Sequence, residues 1–219
     1  MLAAGGSGER ARGMLSDPPK QFRPLGGRPL LEWSLDLVLR AGCAPVVVAV
    51  PEDLIDAAQA VVHGRPGVQV TPGGSTRSLS VAAGLKRVSS DVVVVHDAVR
   101  PFATVDLVDR TVAALDAADG AVPALPLDET VKEVDDLIVT TTIERAGLWR
   151  IQTPQAFRTE VLRDAHALAD RQGFVGTDDA QLIERAGGRV AVIEGNRSNM
   201  KVTYPEDFAI AEAIARSWS

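Results

Sequence analysis

The sequence has few of the residues that build disulfide frameworks or metal clusters. Cys43 is its only cysteine, and its three histidines lie far apart in the chain, at positions 63, 96 and 166. A single cysteine forms no disulfide within a chain, and zinc sites draw their ligands from closely spaced cysteines and histidines. These absences exclude a disulfide scaffold and a zinc-type cluster, and they predict a reducing compartment.

Long apolar runs and an excess of positive charge are also missing. The apolar runs have the length of strands, whereas a membrane-spanning helix needs about 18 residues or more. The first residues lack the basic start and apolar stretch of a secretory signal peptide. The chain has 23 lysines and arginines against 29 aspartates and glutamates, a net charge of −6, which argues against a nucleic-acid surface. We therefore expect a cytoplasmic protein that binds neither membranes nor nucleic acids.

The residues that are present favour one globular domain. Of the 219 residues, 46% are hydrophobic and 24% are charged, which is enough apolar material for a sizeable core. No internal repeat or low-complexity linker divides the chain. We therefore predict a single domain over residues 1–219.

Short runs of β-branched residues alternate with helical patterns along this domain. Continuous apolar runs are typical of strands buried on both faces, as in a parallel sheet covered by helices. We predict strands over 46–50, 68–70, 92–96, 121–125 and 190–193, and helices over 29–41, 52–62, 76–88, 104–118, 158–171 and 178–186. A capping box from Thr203 to Glu206 predicts a last helix that ends at about Ser217. The alternation predicts an α/β fold of the Rossmann-like doubly wound type, with a mostly parallel sheet.

Residues 127–149 break this alternation. Polar and apolar residues alternate there around an acidic turn at 133–136, which predicts a two-sided β-hairpin rather than a buried strand. A hairpin that projects from a core is unstable alone. It is either a surface flap or an arm that joins two copies of the chain in a homodimer.

Glycines follow a short first strand, predicted at residues 1–4, but their context excludes two common nucleotide folds. Gly6, Gly8 and Ala11 fit a dinucleotide fingerprint, yet residues 17–19 (Asp-Pro-Pro) would break the helix that should receive the pyrophosphate. The chain also lacks a Walker-type motif. Neither a dehydrogenase nor a P-loop enzyme is therefore expected.

Three positive side chains accompany this glycine loop: Arg10, Arg12 and Lys20. The backbone amides of such a loop can approach phosphates. Its long excursion can wrap a triphosphate from several sides and bring the lysine to the α-phosphate, where pyrophosphate would separate. We therefore predict a triphosphate site.

Asp97 follows the predicted strand 92–96. Carboxyl ends of parallel strands are where α/β sheets bind ligands. A carboxylate there suits Mg²⁺, which usually binds through one or two carboxylates plus substrate phosphates. His96, beside it, is interpreted as a structural histidine rather than a base.

A set of short motifs follows in order from the first residues to the last helix. It comprises L-A-A-G-x-x-G-x-R with P-K-Q-F, P-G-G-S-T-R-S-L-S-V at 72–81, V-H-D-A-V-R-P at 95–101, D-E-T-V-K at 128–132, T-I-E-R-A-G-L-W at 142–149, Q-T-P-Q-A-F at 152–157, G-T-D-D-A at 176–180 and N-M-K-V-T-Y-P-E-D at 199–207. In this set the chain resembles the sugar-phosphate nucleotidyltransferases, and among them the 2-C-methyl-D-erythritol 4-phosphate cytidylyltransferase family. The resemblance spans essentially the whole chain.

The resemblance implies transfer of CMP from CTP to 2-C-methyl-D-erythritol 4-phosphate in non-mevalonate isoprenoid biosynthesis, with release of pyrophosphate. It implies Mg²⁺ as cofactor, CTP and a small polyol phosphate as substrates, and a homodimer formed through the arm at 127–149. The catalytic residues would be Arg10, Lys20 and Lys201. The nucleotide-binding residues would be Ala3, Ala4, Gly5, Gly6, Gly8, Gly74, Ser75, Arg77, Ser80 and Ala98. The acceptor-binding residues would be Asp97, Arg100, Thr130, Arg145, Thr153 and Thr177, with Asp97 also the metal ligand.

Several assignments stay open at this stage. The lengthened loop leaves Arg10 and Arg12 as alternatives, although Arg10 keeps its spacing from the glycines. Ser75 and Thr177 fit either a substrate pocket or the N-cap of a helix. Thr130 and Arg145 are exposed hairpin residues in a monomer, whereas the resemblance places them over the partner's active site.

The reaction and its alternatives follow from the same residues. A phosphomonoester acceptor is already mostly dianionic at neutral pH, so its attack needs no general base. Ribitol 5-phosphate or a similar polyol phosphate is an alternative acceptor. A non-catalytic nucleotide-sensing domain is a further alternative, which the joint presence of Arg10, Lys20, Asp97 and Lys201 argues against.

Overall fold

The structure, a computed structural model, describes residues 1–5 and 18–218. The predictions for Gly6, Gly8, Arg10 and Arg12 lie outside these residues. Within them, no helix is both long and apolar enough to cross a membrane.

Short strands and helices alternate along the chain, as predicted. The strands are β1 (Leu2–Ala3), β2 (Pro24–Leu25), β3 (Arg28–Pro29), β4 (Val46–Val50), β5 (Val68–Pro72), β6 (Val92–Asp97), β7 (Gly120–Pro126), β8 (Val131–Asp135), β9 (Ile138–Ile143), β10 (Trp149–Ile151), β11 (Gln155–Arg158) and β12 (Val190–Glu194). The helices are α1 (Leu30–Arg40), α2 (Ile55–Val62), α3 (Arg77–Leu85), α4 (Val105–Ala113), α5 (Thr159–Arg171), α6 (Asp179–Arg185) and α7 (Pro205–Trp218), with 3-10 turns at Lys20–Phe22, Glu52–Leu54 and Ala114–Asp116.

The central sheet has eight strands in the order β10-β7-β11-β6-β1-β4-β5, with β12 also paired to β7. Four of its pairings are parallel: β1 with β4, β1 with β6, β4 with β5, and β12 with β7. Helices follow most of these strands. The prediction of an α/β fold with a mostly parallel sheet is confirmed.

Both faces of the sheet are covered, which explains why its strands read as continuous apolar runs. Val47 and Ala49 pack on the face covered by α3, α5 and α6. Val46 and Val48, from the same strand, pack on the face covered by α1 and α2. Because successive strand residues point to opposite faces, every position of β4 is buried and apolar.

Two antiparallel strands of the central sheet, β10 and β11, were not predicted. The strand β11 lies between β6 and β7 and runs antiparallel to both, and β10 continues along the same edge of β7. Each has only three or four residues, too few for a clear pattern. Their connection, residues 152–154, reaches the carboxyl end of β6.

The segment 127–149 contains the predicted hairpin. Strands β8 and β9 form their own two-stranded antiparallel sheet. The predicted turn at 133–136 was wrong, because Glu133 lies within β8 and the turn is made by Asp136 and Leu137, with φ of 45° and 64°. Paired positive φ values of this kind match the twist of a hairpin.

The start of α7 corrects the predicted capping box. Thr203 and Tyr204 donate their backbone N–H groups to the Asp207 carboxylate over 2.7 and 2.8 Å. The helix begins at Pro205, a residue favoured at the first helical position. Asp207, rather than Glu206, therefore caps the helix.

Replacing Asp207 by alanine should lower the free energy of unfolding by about 1 kcal/mol, because two backbone N–H groups lose their acceptor. Glu206→Ala is the matched control, since Glu206 is exposed beside the cap. Urea unfolding followed by circular dichroism measures both. Equal losses in the two variants would contradict this cap.

Candidate active site

The carboxyl end of β6 carries the aspartate that the sequence analysis singled out. Asp97 is the last residue of β6 and pairs with Ala3 of β1 across the sheet. Ala98 donates its backbone N–H to the Ala3 carbonyl over 3.1 Å, and Ala4 donates to the Ala49 carbonyl over 2.9 Å. The start of the glycine loop therefore lies beside Asp97, at the edge where α/β sheets bind ligands.

Three positive side chains converge on Asp97. Its Oδ1 accepts a hydrogen bond from Arg77 Nε, and its Oδ2 accepts one from Lys201 Nζ, each over 2.8 Å. Arg100 Nε lies 4.0 Å from Oδ2. Burial alone would raise the pKa of the Asp97 carboxyl, but Arg77, Lys201 and Arg100 hold that pKa well below its usual value. The carboxylate is therefore ionised and gathers residues from distant parts of the chain.

Glycines occur where the glycine loop meets the turn before α3 because side chains would not fit there. A Cβ on Gly5 would lie 2.2 Å from Ser80 Oγ, and one on Gly73 would lie 2.6 Å from the same atom. A Cβ on Gly74 would lie 2.3 Å from Cβ of Leu79. The close approach leaves the backbone groups of the loop and the turn next to one another.

Ser80 braces this turn from inside. The residue is fully buried, and its hydroxyl accepts from the Gly74 N–H over 3.1 Å and donates to the Thr76 carbonyl over 2.8 Å. Sequence analysis assigned Ser80 to nucleotide binding. In the structure the hydroxyl binds the turn, and its contact with a base stays a prediction.

The segment that carries Lys20 is tied to the start of the glycine loop. Lys20 begins a 3-10 turn, and the next residue, Gln21, is buried. Gln21 donates its Nε2 to the Ala4 carbonyl over 3.0 Å. The glutamine of the P-K-Q-F motif thus holds the backbone next to Lys20 at the end of β1.

His96 is a buried structural residue, as expected. Thr153 Oγ1 accepts from the Asp97 backbone N–H over 3.0 Å and lies 2.9 Å from His96 Nδ1, and His96 Nε2 lies 3.0 Å from the Arg100 carbonyl. Because that carbonyl can only accept, Nε2 carries the proton and Nδ1 accepts from the threonine hydroxyl. Burial lowers the pKa of His96 to about 4. The ring is therefore neutral and connects Thr153 to Arg100.

Amide side chains join the segment before Lys201 to this site. Gln152 accepts from the Asn196 N–H over 3.1 Å and donates to the Asn196 carbonyl over 2.8 Å. Asn199 donates its Nδ2 to the Thr153 carbonyl over 2.8 Å, and Arg100 donates to the Asn199 carbonyl over 2.9 Å. These bonds fix the approach of Lys201 to Asp97 although the two residues are distant in sequence.

Several buried polar side-chain atoms in and beside this network have no hydrogen-bond partner among the described residues. They are Arg77 Nη2, Arg100 Nε, Gln155 Oε1 and Asn199 Oδ1. A buried polar atom is costly unless it is hydrogen-bonded. Such atoms favour a polar ligand at this site.

Two predicted acceptor residues lie on the arm. Thr130 and Arg145 are both exposed. Arg145 donates from its guanidinium to the Asp128 carbonyl, at the base of the hairpin. Their action on an active site stays a prediction, because it requires a second copy of the chain.

The N-cap alternatives for Ser75 and Thr177 were wrong. Thr76, not Ser75, caps α3 by accepting from a backbone N–H of the first turn over 3.1 Å. Asp178, not Thr177, caps α6 by accepting from the Gln181 N–H over 3.0 Å. Both predicted residues are exposed, so their assignment to a substrate pocket stays open.

Sequence analysis missed the buried polar residues that support the site through hydrogen bonds. They are Gln21, Gln152, Gln155, Asp179 and Asn199, all buried. Each lies inside or next to a quoted motif, but amides and a second aspartate have no pattern of their own. The available signal was their position between residues already assigned to the site.

The donors present suit a metal only together with substrate. The described residues contain no group of three side chains of the kind that hold a metal ion. Asp97 is one ionised carboxylate, and its two oxygens contact Arg77 and Lys201. One carboxylate plus substrate phosphates is a usual way of holding Mg²⁺, so Asp97 fits as a protein ligand among the described residues.

Fold and site together define a class of protein. A mostly parallel α/β sheet, a glycine-rich approach to its carboxyl edge, and cations around one ionised carboxylate are what a nucleotidyltransferase needs. The family model for 2-C-methyl-D-erythritol 4-phosphate cytidylyltransferase (IspD) matches residues 1–217. The chain belongs to this family.

Individual relatives agree with the family. The 2-C-methyl-D-erythritol 4-phosphate cytidylyltransferase of Geobacter metallireducens is 39% identical, over 99% of this chain and 96% of its own. A bifunctional IspD/IspF enzyme of Caulobacter vibrioides is 43% identical, over 98% of this chain and 56% of its own. The crystal structure of the Thermus thermophilus cytidylyltransferase is similar with a TM-score of 0.79 and 38% identity, covering 94% of this chain and 96% of that one.

Burial of neutral His96 makes the stability of the protein depend on pH. The pKa of a histidine in an unfolded chain is about 6.5, and here it is lowered to about 4. As pH falls from about 6.5 to below about 4, His96 is protonated in the unfolded chain before it is protonated in the folded protein. The free energy of unfolding therefore falls by on the order of 3 kcal/mol. His96→Gln should remove this part of the pH dependence.

Urea unfolding between about pH 7.5 and about pH 4.5 measures the effect. The control is His63→Gln, which changes an exposed histidine and should keep the wild-type slope. A wild-type slope in the His96 variant would mean that another group causes the loss.

Proposed function

We propose that the protein transfers CMP from CTP to 2-C-methyl-D-erythritol 4-phosphate. The proposal depends chiefly on one observation, the convergence of Arg77, Arg100 and Lys201 on Asp97 at the carboxyl edge of the sheet. The start of the glycine loop lies beside this carboxylate. Membership of the family gives the substrates.

The reaction is a displacement between two anions. An oxygen of the acceptor phosphate forms a bond to the α-phosphorus of CTP, and the bond from that phosphorus to the bridging oxygen breaks, so that pyrophosphate leaves. The acceptor phosphate is mostly dianionic at neutral pH and needs no base. Neutral His96 is bound on both ring nitrogens and takes no proton from it.

The protein contributes positive charge and alignment. Lys201, Lys20 and Arg10 neutralise the triphosphate and the charge that spreads over the equatorial and leaving oxygens. Lys201 is 39% exposed and bound only at its tip to Asp97, so it can exchange this partner for a phosphate oxygen. Backbone N–H groups of the glycine loop bind the β- and γ-phosphates.

A magnesium ion on the triphosphate would have Asp97 as its protein ligand and would supply further neutralisation of the phosphates. Asp97 is ionised at neutral pH, because Arg77, Lys201 and Arg100 hold its pKa well below the usual value. A cytoplasmic location agrees with these substrates, since nucleoside triphosphates are made and used there.

The arm at 127–149 is proposed to join two copies of the chain. Val134, Leu137, Ile138 and Val139 are 52%, 94%, 70% and 55% exposed, on a two-stranded sheet that belongs to no larger one. A hairpin of this kind needs an apolar surface to pack on. In a dimer, Thr130 and Arg145 would bind the acceptor phosphate in the partner's site, and arginine suits such a contact.

The central test measures pyrophosphate release with four nucleoside triphosphates, each combined with methylerythritol and ribitol phosphates. We expect release with CTP and 2-C-methyl-D-erythritol 4-phosphate. Lys201→Ala should then lower kcat by at least about a hundredfold, since groups that stabilise transition-state charge are typically worth about 3 to 4 kcal/mol.

Lys86→Ala is the control, because Lys86 is an exposed lysine at the end of α3. Release with ribitol 5-phosphate alone would assign the other acceptor. Binding of CTP without any turnover would favour a nucleotide-sensing domain. A wild-type kcat in the Lys201 variant would remove this lysine from the mechanism.

Disrupting the arm should separate the two copies and weaken acceptor binding together. Val139→Asp places a charge in the proposed interface and should give monomers with a KM for the acceptor raised about tenfold or more, whereas Arg145→Ala should raise KM and leave the dimer intact. Sedimentation velocity and steady-state kinetics measure both. Asp135→Asn, at an exposed position of β8, is the control. A monomeric wild type would contradict the dimer.

A further inference from the structure

We propose that Asp179 is a positioning residue for the reaction, acting through Arg77 on Asp97, with His166 holding Asp179 in turn. This inference rests on the proposed function for its kinetic readout only. Arg77 Nη1 donates to Asp179 Oδ2 over 2.6 Å, while Arg77 Nε donates to Asp97 Oδ1 over 2.8 Å. His166 Nε2 donates to Asp179 Oδ1 over 3.2 Å.

Four separate elements meet in this chain of contacts. Arg77 is the first residue of α3, directly after the glycine turn, and Asp179 is the first residue of α6. His166 lies on α5 and Asp97 ends β6. The contacts therefore connect the turn at 73–75 to two helices that lie on one face of the sheet.

Asp179 is fully buried, whereas its partner Arg77 is partly exposed. Its side chain is 0% exposed, against 23% for Arg77. Burial would raise the pKa of the Asp179 carboxyl, but Arg77 and the hydrogen bond from His166 lower it. A buried charge persists only where partners compensate for its loss of water, so Asp179 is ionised because Arg77 and His166 hold it.

The functional consequence concerns how Arg77 binds Asp97. An arginine and a carboxylate commonly pair through two parallel hydrogen bonds. Here Nη1 binds Asp179 and Nε binds Oδ1 of Asp97, so the two carboxylates together fix the orientation of the guanidinium, and Nη2 does not reach Oδ2 of Asp97. Oδ2 is bound instead by Lys201 over 2.8 Å.

Asp179 thus keeps one oxygen of Asp97 open to the cations that the reaction uses. Without the charge of Asp179, Arg77 would rotate onto both oxygens of Asp97 and displace Lys201. The site would keep all of its residues and lose their alignment, and small misplacements of this kind reduce the rate steeply.

The first measurement needs no turnover. In unliganded Asp179→Asn, Lys201 should react severalfold faster with an amine-acylating reagent than in wild type, as measured by peptide mass spectrometry, because its amine is no longer held by Asp97. Lys86 provides the internal reference. Faster labelling of both lysines, or of neither, would overturn the proposal, since general loosening of the fold would affect both.

The second measurement is a kinetic double-mutant cycle. Asp179→Asn should lower kcat about tenfold or more with the KM for CTP within about twofold, whereas the same change in an Arg77→Lys background should cost less than about twofold, because lysine cannot bridge both carboxylates. Independent, additive losses would overturn the proposal. Glu184→Gln, at an exposed position of the same helix, is the matched control.

Folding and function are separated by a further variant. His166→Ala keeps both carboxylates and removes one hydrogen bond from Asp179, so it should change Lys201 labelling in the same direction to a smaller extent, even where Asp179→Asn does not fold. Unchanged Lys201 labelling in His166→Ala would overturn the part assigned to His166. A wild-type enzyme without turnover would overturn the proposed function, while the labelling result still decides whether Asp179 positions the site.

Discussion

The ionised carboxylate of Asp97 is the interaction on which the site depends. Its two oxygens hold Arg77 and Lys201, and Arg100 lies within 4.0 Å. Charges of one sign repel each other strongly in a partly buried site, and these cations tolerate one another because an anion lies among them. The carboxylate also joins distant parts of the chain, since Lys201 comes from the segment before the last helix.

Much of the fold could be predicted because its cause is local. Strand β4 reads Val46 to Val50 without a polar residue, because both faces of the sheet are covered. The position of Asp97 at the carboxyl end of β6 followed from a general rule about sheet edges. Their assignment to one enzyme family came from the resemblance, which the family model bears out over residues 1–217.

The remaining features depend on contacts that a local pattern does not contain. Strand β11 has four residues, and its place between β6 and β7 follows from tertiary pairing. Asp207 caps α7 because the chain enters the helix at an angle that brings the N–H groups of Thr203 and Tyr204 to its carboxylate. In the sequence, Asp179 resembles any acidic residue at the start of a helix. Its role is visible only in the structure, where Arg77 Nη1 lies 2.6 Å from Asp179 Oδ2.

The charge balance around Asp97 explains why the site suits anionic substrates and needs no base. Arg77, Arg100 and Lys201 face Asp97 and Asp179, so the described cluster has an excess of one positive charge. The polar environment is built before any substrate arrives, and stabilisation of developing charge by groups already in place is usually the largest contribution to catalysis. A proton acceptor would add nothing, because the attacking phosphate is already ionised. The buried His96 agrees with a mechanism that uses no base. It connects Thr153 to Arg100 as a neutral ring and adds no charge to a site that works by neutralising the charge of its substrates.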